Sequence, residues 1–473
     1  MSQPPTQNPI SFTEWLSGRI SDWLGSPDCA AAGAMLGKVS VDDILAKAED
    51  NTLPPLTRLV YAYVAWLFGA SESSLRQVVS TIENDIPESN DVPMLQIKGC
   101  ALTGSPCLPQ HAAEAIYVLL RYGYRFDHRS VIDCVYHKIW FELDGNCVPH
   151  VISYGPRWDI EVGSDIGFTT SLVRVAVEKN DREYALKALD NGLWLWQWLN
   201  DNLWSGDHYW YAVNWHDYTW GIDTFIGVMA LHYWSLKLRN EGVPYLDRVR
   251  SHLWNAVLSD GISSRQWCCG SYALTHHVPD NPACGSRAMH VSVFTLHASV
   301  PTFDGAAYNS YVNIVKGQYW RNIVNSDCWD SSRGLLKCLN TDNAGSEPCT
   351  CHLIQAMPHY MVYYPAGETV VPVSWRHFHP ALNTAMAMRL VTEGGYRLYL
   401  PSGPNGIYYY DGGDFKYYRP TRMGLIEITY DENGNVTNIR EAGDLPSRPE
   451  YIGFIVYEPS RIPTRLTLRV EVL

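Results

Sequence analysis

Tyr209-Trp210-Tyr211-Ala212-Val213-Asn214-Trp215-His216-Asp217-Tyr218-Thr219-Trp220-Gly221 is dense in aromatics and carries an Asn, a His and an Asp within four residues. Directly after it, apolar residues at three-and-four spacing predict a helix over Ile222 to Leu238. A polar cluster at the mouth of a helix, walled by Trp and Tyr, suits a sugar-binding cleft. Aromatic faces stack on the apolar faces of pyranose rings, and an amide and an imidazole add directional hydrogen bonds. The plainer reading is a helix start with packed aromatics, in which Asn214 serves as the N-cap.

Upstream of this stretch the chain reads as helices. Phe12–Leu24, Pro55–Gly69, Ser74–Glu83, His111–Tyr122, Val131–Phe141, Ile166–Val177 and Tyr184–Leu203 share the helical spacing of apolar residues. Tyr245–Leu258, Ala288–Ser299 and Ala307–Ile323 continue the pattern downstream. Pro, Gly, Asn and Asp fill the connections, as in Asn51-Thr52-Leu53-Pro54-Pro55. So many helices in succession suggest hairpins packed around a ring, an α/α toroid over residues 1–325.

Near Ser326 the character changes. Residues 326–358 hold four cysteines and little periodicity, and read as a linker. From His359 onward β-branched and aromatic residues alternate. Strands are expected at Tyr360–Tyr364, Thr369–Val373, Tyr396–Leu400, Gly406–Tyr410, Gly424–Tyr430, Val436–Arg440 and Leu466–Leu473. Asn433-Gly434 is a hairpin-turn signal between two of them. The expected architecture is therefore α+β and multidomain, an N-terminal α/α toroid followed by a C-terminal antiparallel β-sandwich over 359–473.

Composition narrows the function. The 473 residues, 46% apolar and 18% charged, are those of a folded chain long enough for two or three domains. With 18 Trp and 30 Tyr, many aromatics must lie at surfaces or clefts, where one edge stays wet. The net charge of −13 argues against nucleic acid or an anionic membrane surface as partner. No apolar run is long enough to span a bilayer, and the first residues do not read as a signal peptide. The 12 cysteines suggest several disulfides and either an oxidising compartment, with an extracellular or cell-surface location, or a hyperthermophile cytosol. Cys349-Thr350-Cys351-His352 invites a metal reading with Cys328 and Cys338, but no Cys-x-x-Cys spacing supports it, so no metal or cofactor is expected.

Three stretches resemble the hyaluronate, chondroitin and xanthan lyases of polysaccharide lyase family eight. Arg157-Trp158-Asp159-Ile160-Glu161-Val162-Gly163 resembles the segment whose two tryptophans grip the polymer; Trp158 takes the second position and Arg157 stands where the first would be. Asn214-Trp215-His216-Asp217 is similar to the family's Asn-Leu-Val-Asp, whose Asn bonds the uronate carboxylate. Gly406-Ile407-Tyr408-Tyr409-Tyr410-Asp411-Gly412 resembles a β-domain loop that reaches toward the cleft, with Asn405 just before it. Gly270-Ser271-Tyr272, followed by Thr275-His276-His277, looks like the approach to the catalytic His, and Arg321 lies in what looks like the arginine-bearing segment. One departure stands out: the family's catalytic Tyr shortly after the His has no counterpart in Ala283–His290.

The resemblance implies a lyase cleaving an acidic, uronate-containing polysaccharide by β-elimination. Asn214 would neutralise the carboxylate beside the C5 proton, with Arg321 or Arg157 as partner. His276 or His277 would be the base. Tyr272, Tyr308, Tyr218 or His290 would protonate the leaving oxygen. Trp158, Arg157, Trp215, His216, Tyr218, Trp220, Tyr408 and Asn405 would line the substrate. Two other classes stay open. A glycoside hydrolase would need facing carboxylates from Asp159, Glu161, Asp217 and Asp223. A non-catalytic glycan-binding protein would fit the missing Tyr.

Overall fold

The computed structural model describes residues 3–5, 9–86, 101–102, 105–106, 109–139, 162–218, 222–246, 248, 324, 329–337, 343–351, 353–354, 396–402, 407–411, 414–418, 421, 424–430, 436–443 and 455–456. They fall into two compact units, one of residues 40–253 and one joining 1–39 to 254–473.

The unit 40–253 is built from α3 (Val41–Glu49), α4 (Pro55–Leu67), α5 (Glu72–Asp85), α6 (Pro109–Tyr122), α7 (His128–Val135), α8 (Gly163–Glu178), α9 (Arg182–Leu203) and α10 (Ile222–Arg239). Side-chain caps start several of them. Ser40, Ser71, Asp127 and Asp181 each accept a hydrogen bond from the backbone N–H of the third residue on, and Ser40 forms a full capping box with Asp43. Pro55 sits at the first turn of α4, where its missing N–H costs nothing.

Burial divides these helices into two kinds. In α4 the run Leu59, Val60, Tyr61, Ala62, Tyr63, Val64 is buried without a break, so no face of that helix meets water. α8 is the same, down to its polar residues Asp165, Thr169, Thr170, Ser171 and Arg174. α5 is one-sided: Leu75, Val78, Val79 and Ile82 are buried while Glu72, Arg76 and Thr81 on the other side are exposed or half-exposed.

The buried helices run in one direction. Near the end of α4, Tyr63 meets Tyr117 of α6 edge to face and Trp66 packs on it at a tilt, and Tyr117 and Arg121 bond Glu178 at the end of α8. At the opposite end α8 and α10 meet backbone to backbone. A Cβ on Gly227 would stand 2.9 Å from the Gly167 nitrogen and 3.1 Å from the Gly163 oxygen, so only glycine permits that approach. α9 runs the other way: Asn191 bonds Thr169 of α8, while Arg182 donates to the Leu238 carbonyl at the end of α10. The unit is thus a succession of antiparallel helix pairs, with α4, α6, α8 and α10 inside.

The connections follow this alternation. Chain leaving a buried helix turns back at once, at 68–71, 123–127 and 179–181. Apart from 50–54, chain entering one is long: 86–108, 136–162 and 204–221. Two short hairpins lie in these long entries, β1 (Ala101–Leu102) with β2 (Ser105–Pro106), and β3 (Trp210–Ala212) with β4 (Trp215–Tyr218).

The second unit contains α1 (Pro9–Ser17) and α2 (Pro27–Met35), with Ser26 capping the latter. The stretch read from sequence as a linker is folded where it is described. β5 (Trp329–Asp330) pairs with β6 (Leu335–Leu336), and a helical stretch follows at 347–351 and 353–354. Trp329 stacks against Phe12 and Trp15, Leu335, Leu336, Leu353 and Ile354 are buried, and Cys351 forms a disulfide with Cys29. Periodicity misses this segment because its elements are two residues long and it is organised by one carboxylate. Asp330 accepts from the amides of Ser332, Arg333 and Gly345 and from the Ser332 hydroxyl. Burial opposes the charge of Asp330, but the Ser332 hydroxyl and the three amides outweigh it and hold its carboxyl at about 2.

Further on, β7 (Tyr396–Ser402), β10 (Gly424–Tyr430), β11 (Val436–Gly443) and β12 (Ile455–Val456) form an antiparallel sheet in the order β11-β10-β7-β12. Its register puts Leu398, Ile428 and Ile439 in one row and Arg397, Thr429 and Asn438 in the next, an apolar row beside a polar one. β8 (Ile407–Asp411) and β9 (Asp414–Tyr418) pair as a separate hairpin. The strands expected at 360–364, 369–373 and 466–473 lie outside the described residues.

Candidate functional site

Asn214 does not cap α10. It sits exposed at the turn between β3 and β4, with Trp210 opposite Tyr218 and Ala212 opposite Trp215. The aromatic composition of 209–218 favours a hairpin over an extra helical turn. Trp215, His216 and Tyr218 lie in β4, which begins directly after Asn214.

The hairpin stands on a built base. Tyr209, which leads into β3, is fully buried, and its hydroxyl donates to Asn200 Oδ1 at 2.7 Å. The Arg248 guanidinium donates to the same oxygen at 3.2 Å, and the Asn200 amide donates to the Trp196 carbonyl at 2.8 Å. Trp196 donates its ring N–H to the Pro244 carbonyl. Trp204 pairs with Tyr209 across an isolated bridge, and Trp196 and Trp204 both pack on the Tyr209 ring. Arg248 lies over Trp204 and Tyr245, the latter exposed and in a left-handed backbone conformation.

Burial pushes the Tyr209 hydroxyl far above the usual tyrosine range, and the nearby Arg248 only partly offsets it. Tyr209 is therefore a neutral, fixed donor and not a proton shuttle. Beside it, Ser205, Asp207 and His208 form a tight turn: Ser205 bonds Asp207 and the His208 carbonyl, and Asp207 meets His208 Nδ1 at 2.6 Å. The hydrogen bonds from Ser205 and then His208 lower the Asp207 carboxyl. With Ser205 spent on its own turn, the trio is a loop lock and not a nucleophile.

Of the residues singled out from sequence, Asn214, Trp215, His216 and Tyr218 come together in this one hairpin, and Tyr408 lies in β8 opposite Tyr417. Arg157, Trp158, Trp220, Tyr272, His276, His277, Arg321 and Asn405 lie outside the described residues, as do Tyr308 and His290. Sequence reasoning passed over Asn200, Trp196, Trp204 and Arg248. Asn200 falls one helical turn from Trp196 and Trp204, a spacing that marks a polar position amid large aromatics. Cys351 is committed to a disulfide, and Cys349 and Cys134 are disulfide-bonded as well. Among the described residues no helix is long and apolar enough to cross a membrane.

No family model, no curated protein and no solved structure matches the chain.

Proposed function

We propose that the protein is a polysaccharide lyase that cleaves a uronate-containing, anionic glycan by β-elimination, in a cleft at the long-loop end of an α/α toroid. The observation that supports this is the Trp210–Tyr218 hairpin. It presents the exposed Asn214 amide ahead of α10, at the end of the buried helices that residues 157–158 also lead into by sequence. In this reading the Asn214 amide, with Arg157 or Arg321, holds the uronate carboxylate. That makes the neighbouring C5–H acidic enough for His276 or His277 to remove. The C4–O4 bond then breaks as the C4–C5 double bond forms, and Tyr272 or another acid protonates the departing oxygen.

The test is ultraviolet absorbance of the unsaturated product on hyaluronan, chondroitin, xanthan and alginate. The expected result is absorbance on at least one, falling by roughly a hundredfold or more in Asn214→Ala. New reducing ends without absorbance would instead identify a hydrolase. Binding without any turnover would identify a non-catalytic glycan-binding protein.

A further inference from the structure

The turn 123–127, at the short-loop end of α8, is held more firmly than a connector needs. Glu83 is 3% exposed, yet it spends both carboxylate oxygens on this turn, accepting from the amides of Tyr124 and Arg125 at 3.0 and 3.1 Å. Arg125 returns to the Glu83 carbonyl at 2.8 Å and to the Ile86 carbonyl. A Cβ on Gly123 would fall 2.1 Å from the Glu83 carboxylate, so the turn closes only on glycine. Burying a carboxylate to fix two backbone amides is costly unless the fixed geometry matters. What the geometry fixes is a surface tyrosine: the Tyr124 ring is 70% exposed.

One cation, Arg76, approaches that ring, and a second arginine lies close by. Arg76 lies 6.0 Å from the Tyr124 centroid and 6.0 Å from Tyr122, and Arg121 lies 5.4 Å from Tyr122. Both arginines grip one oxygen of a single surface carboxylate, Glu72 Oε1, each at 3.3 Å. Two guanidiniums closing on one carboxylate beside an exposed ring is the arrangement that would hold an acid group attached to a sugar ring.

We propose that Tyr124, Arg76 and Arg121 form a surface site for an acidic polysaccharide, at the opposite end of α8 from the Asn214 hairpin, with the Glu72 carboxylate standing where the acid group of the ligand binds. The ring stacks on a pyranose face and the arginines exchange Glu72 for the carboxylate or sulfate of the chain. The site rests on local geometry and holds whether or not the protein is a lyase.

The experiment measures equilibrium binding of the full chain to heparin, hyaluronan, neutral dextran and duplex DNA, with no turnover readout. Binding to one or both acidic polysaccharides, weakening with salt, and not to dextran, is expected. Tyr124→Ala and Arg76→Ala each weaken it about fivefold or more. Glu72→Gln strengthens it about threefold, because it removes the carboxylate that competes for Arg76, while Arg121 keeps its bond to Glu178. A merely structural network predicts the reverse sign, weaker or unchanged binding in Glu72→Gln. That result, no effect of Tyr124→Ala at unchanged melting temperature, or equal binding to DNA would overturn the proposal. Salt-sensitive binding that is lost in Tyr124→Ala, in a protein that forms no unsaturated product on any uronate polymer, would keep this site while the lyase reading fails.

Discussion

The two ends of the buried helices in the unit 40–253 are built on different principles. At the end where α4, α6 and α8 finish, the turns are short and charged groups are locked inward. Arg174 is 1% exposed, bonded to Glu178 at 3.0 Å and lying over the rings of Trp66 and Tyr117. Glu178 also accepts from Tyr117 and Arg121. At the other end the chain enters through long segments, and the described one is an aromatic hairpin with a bare amide at its tip. The lesson is a division of labour. Buried charge is concentrated where the chain reverses quickly, while the described entry segment carries the exposed Asn214.

Substitutions at the two ends test that division. The largest loss is expected from Glu178→Ala, which strands a buried guanidinium. Unfolding in denaturant should show about 3–5 kcal/mol of destabilisation. It also carries a pH signature. Burial opposes the Glu178 charge, but Arg174, Tyr117 and Arg121 outweigh it and lower its carboxyl below the ordinary 4.5. A depressed pKa gives stability that is present above 4.5 and lost as pH falls below it. Glu178→Ala should flatten that part of the acid profile, and an unchanged profile would show the network to be idle.

Gly123→Ala comes next, since the added methyl collides with the Glu83 carboxylate; a loss of about 1–3 kcal/mol is expected by thermal unfolding. Asn200→Ala at the entry end orphans the Tyr209 hydroxyl and one Arg248 donor, for about 1–3 kcal/mol, and exposes Tyr209 to faster amide exchange nearby. Asn214→Ala should change stability by less than about 0.5 kcal/mol, because its side chain is exposed. A larger loss there would erase the contrast between the two ends.

The sequence made the long, strongly periodic helices legible and left the local devices hidden. Expected Tyr184–Leu203 and Ile222–Leu238 lie within two residues of α9 and α10. Where boundaries moved, a cap moved them. Asp127 starts α7 ahead of the expected Val131, and the helix stops at Val135, short of Phe141, with His137 held at φ 53° by its amide's bond to Asn191. α2 and α3 escaped the periodicity because they are 9 residues long, though Ser26-Pro27 and Ser40 announced them. At the site, the sequence singled out Asn214, which lies exposed. The hairpin that replaces a helical cap was not, because its register is set by Tyr209 and Asn200, whose pairing only the fold creates. The contents of 326–358 were unreadable for a like reason: a lone carboxylate gathers four donors from a stretch with no pattern.

The bond between Cys29 and Cys351 spans 322 positions of chain. On a ribosome adding roughly 5–20 residues per second, the first sulfur therefore waits on the order of 15–65 seconds for the second to be made. Throughout that interval Phe12 and Trp15 have no Trp329 to cover them. Cys29, Phe12 and Trp15 are thus made well before the residues that bond and cover them.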